Sequence, residues 1–110
     1  NRELMQLVLK MLKDENLYFV DSLTSNNSYG SSLATEIGIK FAKRDVFLDD
    51  SKKGKNYMIN QIENLIEIAE KNGVGVGICH TYKDSIDVLF QYLPKIKDRV
   101  EITTVTSIFN

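Results

Sequence analysis

The chain has 110 residues, 43% of them hydrophobic and 26% charged, which places it among ordinary globular proteins and excludes disordered and fibrous classes. Fourteen basic residues against fifteen acidic ones give a formal net charge of -1, so no electrostatic footprint for nucleic acid or an anionic membrane surface is present. A single cysteine, Cys79, excludes an internal disulfide and a CxxC metal or redox pair, and no apolar run approaches the about 20 residues that span a bilayer. The length suits one domain whose core covers roughly two thirds of the surface of the unfolded chain.

Residues 2 to 14 carry Leu4, Val8, Met11 and Leu12 at helical spacing, which predicts an amphipathic helix. The sequence starts without methionine and already inside this helix, so a piece of a larger protein is expected. "LYFV", 17 to 20, reads as a short buried parallel strand that stops at Asp21, and the polar stretch "DSLTSNNS" follows. From Tyr29 the period is helical through Leu33, Ala34 and Ile37, with Gly38 placed to end the helix in the left-handed conformation. "IKFAKRDVFL" supplies the next strand, centred either on 40 to 44 or on 45 to 48.

The clearest helix spans 56 to 71, with Ile59, Ile62, Ile66 and Ala69 on one face and Asn72-Gly73 at its end. "VGVGIC" is a strand whose alternating glycines predict close approach of a neighbouring element. A last helix, 83 to 93, presents Ile86, Leu89, Phe90 and Leu93 and is expected to close at Pro94, with "VEITTV" as a final strand. Tyr18, Phe19, Phe47 and Phe90 are assigned to the core. Strands alternating with helices of this length predict an α/β class with a parallel sheet.

In such sheets the functional edge is formed by the carboxyl ends of the strands. That rule selects Asp21 and Ser22 after the first strand, Arg44 with Asp45 or Asp49 with Asp50 after the second, His80 after the third, and Thr104 or Thr106 after the fourth. Each has a plainer reading. Asp21 and Ser22 can start a turn or cap a helix, Arg44 and Asp45 can form a structural ion pair, and Asp49 and Asp50 beside three lysines can be a solvated loop. Cys79 and His80 are neighbours on one strand and face opposite sides, so Cys79 is expected as a small buried residue and not as a partner of His80.

The stretches "FVDSLT" (19 to 24), "KRDVFLDD" (43 to 50) and "GVGVGICHT" (73 to 81), in this order, resemble the divergent polysaccharide deacetylases. The resemblance implies a distorted (β/α) barrel of the polysaccharide-deacetylase type, of which this chain would form the carboxyl-terminal half. Asp21, Ser22 and Thr24 then correspond to a "DSRT" segment with Leu23 in place of the arginine. Arg44, Asp45 and Asp49 correspond to "RRDVFLD", and His80 to the histidine of "GHP", with Cys79 and Thr81 as departures.

The implied activity is metal-dependent hydrolysis of N-acetyl groups on a carbohydrate. His80, Asp21 and Asp45 are the implied catalytic residues, His80 as the acid and Asp21 or Asp45 orienting its ring, and Ser22, Arg44 and Asp49 the substrate contacts. The cofactor implied is a divalent metal, zinc first, with its principal ligands in the absent half and none assigned here. An extracytoplasmic or envelope-associated parent, inactivity of this piece alone, and self-association through exposed sheet edges complete the expectations. The alternative reading is a non-catalytic carbohydrate-binding or cell-envelope protein of the same fold.

Overall fold

A computed structural model describes residues 1 to 22 and 29 to 109 of the chain. They gather into two compact units, one formed by residues 1 to 44 with the last six residues, the other by residues 45 to 104.

In the first unit α1 (Arg2–Asp14) is capped by the Asn1 side chain, which accepts from the Leu4 N–H at 3.1 Å. Its Leu9 is wholly buried and meets Leu33, Ala34 and Ile39 in a small core. Here β1 (Phe19–Asp21) pairs in parallel with β2 (Phe41–Lys43), Phe19 opposite Phe41 and Asp21 opposite Lys43. Between them α2 (Gly30–Ile37) ends as expected at Gly38, whose φ of 82° lies where residues with a Cβ are strained. The Lys13 ammonium donates to the Ile37 carbonyl at 2.6 Å and satisfies the end of that helix.

In the second unit β3 (Val46–Phe47) pairs in parallel with β4 (Gly77–Ile78), Val46 opposite Gly77. The connecting helix α3 (Gly54–Asn72) buries Met58, Ile62 and Ile66, and α4 (Lys83–Ile96) buries Ser85, Val88 and Ile96. With Val46 and Leu48 the apolar members of this set make the larger core. The glycines of "VGVGIC" do what their alternation predicts: a Cβ on Gly77 would lie 2.6 Å from a Leu65 methyl, and one on Gly75 2.9 Å from the other. Helix α3 therefore lies directly on the strand.

The α/β class and the parallel pairing are as expected, and four details are corrected. The two candidate centres of the second strand are both strands, β2 and β3, which pair with different partners. Helix α4 runs through Pro94 to Ile96, because the turn that loses a hydrogen bond to the proline faces solvent, with Phe90 79% exposed. That exposure also removes Phe90 from the core, and Tyr18 lies on the surface beside the Phe109 ring, centroids 5.2 Å apart. "VEITTV" forms no strand among the described residues. Residues 101 to 104 are exposed, so their β-branched side chains have no pleated, half-buried surface to fit. A 3₁₀ turn follows at Val105–Ile108.

Candidate functional site

Both strands of the second sheet end on a chemically active residue. The Leu48 N–H bonds to the Ile78 carbonyl at 2.8 Å and keeps the two chains paired past the end of β3, which brings Asp49 against His80. One Asp49 carboxylate oxygen lies 3.0 Å from His80 Nδ1. The other accepts from the His80 backbone N–H at 2.9 Å and from the Ser85 hydroxyl at 2.5 Å. The Asp49 side chain is 5% exposed and the His80 side chain 49%, so a buried carboxylate holds an imidazole whose outer edge meets solvent.

Electrostatics keep that carboxylate ionised. Burial alone raises the Asp49 carboxyl, but the hydrogen bonds from the Ser85 hydroxyl and from the His80 ring and backbone outweigh it and hold the group below the usual aspartate value. An ionised acceptor at 3.0 Å fixes the ring proton on Nδ1 and leaves Nε2 as the nitrogen for exchange with a ligand. Two aromatic rings also stack on it, Phe47 with centroids 5.1 Å apart at 29° and Tyr82 at 4.7 Å and 20°. One hydrogen bond and two ring stacks thus orient the imidazole.

The orienting role expected of Asp21 or Asp45 is filled by Asp49. Asp45 cannot serve there, because its carboxylate accepts the Val76 backbone N–H at 2.8 Å and ties β3 to the approach of β4. Both Asp49 oxygens accept donors from within the protein. In the first unit Asp21 is buried at the end of β1. Arg44 donates its backbone N–H to the Asp21 carbonyl at 2.9 Å and its Nε to the Ser22 carbonyl at 2.6 Å. Leu23 and Thr24 lie outside the described residues.

Cys79, expected as a small buried residue, is half-buried and packs against the larger core, and burial followed by the nearby Asp49 charge pushes its thiol up. Ser85, Tyr82 and Phe47 are neighbours of the Asp49–His80 pair that the sequence reading did not select for the site. Ser85 was the most visible of them: it shares the buried face of α4 with Val88 and Ile96, a polar residue in an apolar register. The expected face of α4, led by Ile86 and Phe90, is rotated outward, and that rotation turns Ser85 toward Asp49.

A sequence profile of the divergent polysaccharide deacetylases matches residues 1 to 109. The chain belongs to this family. It is 33% identical over 106 residues to the uncharacterized protein YibQ of Escherichia coli K12, which covers 96% of this chain and 33% of that protein. It is 29% identical over 100 residues to an uncharacterized protein of Haemophilus influenzae Rd, covering 91% of this chain and 35% of that one. The crystal structure of the uncharacterized protein ATU2773 from Agrobacterium tumefaciens C58 matches 94% of this chain and 42% of its own with a TM-score of 0.89 at 23% identity, a likeness of fold. This member of the deacetylase family thus spans about a third of the length of the curated relatives it matches.

The metal expected of a deacetylase does not fit a ligand set drawn from these residues alone. Among the described residues no group of three or more His, Cys, Asp or Glu side chains is placed to hold an ion, and both Asp49 oxygens already accept protein donors. No helix among the described residues is long and apolar enough to cross a membrane.

Proposed function

We propose that the parent protein hydrolyses N-acetyl groups on a carbohydrate and that this chain supplies His80 as the acid of the reaction. The observation that carries the reading is the Ser85–Asp49–His80 chain, a buried carboxylate holding a half-exposed imidazole. Water adds to the amide carbonyl as a base elsewhere in the parent protein takes one of its protons, the C–N bond breaks, and Nε2–H of a protonated His80 gives its proton to the departing amine, leaving a free amino sugar and acetic acid, whose proton passes to solvent as it ionises to acetate. Asp49 holds the ring in one orientation before transfer and fixes its tautomer after it. Ser22 and Arg44 are proposed to contact the glycan, and Asp21 and Asp45 to support the strand ends on which these residues sit.

A divalent metal, zinc first, belongs to this proposal with ligands supplied elsewhere in the parent protein, and none of the steps assigned to this chain is routed through it. The piece alone is then inactive, and the proposed setting is extracytoplasmic or at the cell envelope. The aromatic faces of Phe47 and Tyr82 beside His80 favour a second reading, glycan binding without turnover. Acetate release from N-acetylated oligosaccharides by the full-length protein decides between them. His80→Ala is expected to lower turnover by about 10²-fold or more while oligosaccharide binding persists. Binding with no acetate release by the unaltered protein would establish the second reading.

A further inference from the structure

A cavity of about 340 Å³ opens beside the Asp49–His80 pair. Its volume lies near the lower end of the about 300–1,000 Å³ typical of small-molecule sites. Asp49 and Ser85 form part of its wall, so it is continuous with the hydrogen-bonded chain that orients the imidazole. Tyr82 forms another part. One face of that ring is stacked on His80 at 4.7 Å, and the residue stays 41% exposed, which leaves an aromatic surface toward the opening. The lining carries three carboxylates, Asp49, Asp50 and Asp84, and two lysines, Lys55 and Lys83.

The two lysines are not spare cations. Both reach the same carboxylate oxygen of Asp87, Lys55 at 3.4 Å and Lys83 at 3.2 Å, so an anionic ligand would compete with an existing acceptor for each of them. An uncharged ligand with many hydroxyls does not need to draw either ammonium away from Asp87: its hydroxyls can donate to the lining carboxylates and accept from the N–H groups that Asp87 leaves over.

We infer that this cavity is the subsite for one uncharged pyranose unit of the glycan, seated against Tyr82 and excluding anionic sugars such as uronates. The inference rests on the deacetylase reading and adds to it the charge class of the substrate and a specificity-determining residue. Binding of chitotetraose and of tetragalacturonate to the full-length protein, followed by calorimetry, tests it. Chitotetraose is expected to bind more tightly, Tyr82→Ala to weaken it by about tenfold, and Tyr82→Phe to retain it within about twofold.

Because Tyr82→Ala could loosen the His80 stack, Ser51→Trp on the exposed loop gives an independent check by filling the opening, and it too should abolish chitotetraose binding. Equal or tighter binding of tetragalacturonate, or chitotetraose binding untouched by Ser51→Trp, would overturn the subsite. Acetate release persisting in that second case leaves the deacetylase reading standing, whereas absence of both binding and release in the unaltered protein removes both.

Discussion

The two units of this chain use the same elements, two short parallel strands with helices packed on them, and put their polar groups to different uses. In the first, Arg44 donates its backbone N–H to the Asp21 carbonyl and its Nε to the Ser22 carbonyl, so that these bonds fix the course of the strand end. In the second, Asp49, just past the end of β3, accepts from one backbone N–H, one hydroxyl and one imidazole, and the last of these is half exposed. A carboxylate that collects donors in a buried pocket converts burial into orientation. An arginine that donates to carbonyls converts it into loop structure. The lesson is that strand-end position makes a residue a candidate, and its donor and acceptor partners decide the role.

The largest test of the comparison is in the two cores. Leu33→Ala in the first unit and Ile66→Ala in the second each remove a fully packed side chain and are expected to cost about 2–5 kcal/mol in chemical denaturation. A loss well under that range in one of them would mark its core as the looser and end the parallel.

Next in size is Asp49→Asn. The amide would set an NH₂ where three donors converge, so a loss of about 1–3 kcal/mol is expected, together with a His80 ring resonance that no longer reports a single environment by NMR. Stability unchanged by this substitution would reduce the Asp49 cluster to a surface contact.

The acid limb of stability sharpens the same point. Asp49 is held below the ordinary aspartate value, so its contribution is present above the unfolded pKa and is lost as pH falls through the folded one. Unfolding free energy should therefore decline below about pH 4, and the decline should be shallower in Asp49→Asn. Parallel profiles for the two proteins would assign the acid sensitivity to other carboxylates.

The smallest effects compare the helix ends. Gly38 closes α2 with φ 82° and Gly73 closes α3 with φ 89°, so alanine at either should cost about 1 kcal/mol by thermal unfolding, nearly equally in the two units. A Cβ meets nothing closer than 3.5 Å at Gly38 and nothing within 4 Å at Gly73, so the cost is conformational and not steric.

Sequence alone was enough for the α/β class, the bounds of α1 and α2 to within a residue or so, both glycine caps, and the close approach of some neighbouring element to the glycines of "VGVGIC". These follow from periodicity, from the φ that only glycine takes freely, and from the missing Cβ, all of which are local. It also placed His80 at a strand end, left Asp45 and Asp49 as alternatives at another, and held the three stretches that carry the family resemblance.

Only the tertiary structure decided which carboxylate serves the histidine. Asp45 and Asp49 are four residues apart on one strand segment, and register against β4 gives one to the Val76 N–H and the other to the imidazole. It likewise decided that "IKFAKRDVFL" is two strands with different partners, that residues 101 to 104 are not a strand, and that α4 turns Ser85 inward and Phe90 outward. The rotation of a helix about its axis and the pairing of a strand are set by what lies beside them, and no window of sequence contains its own neighbours.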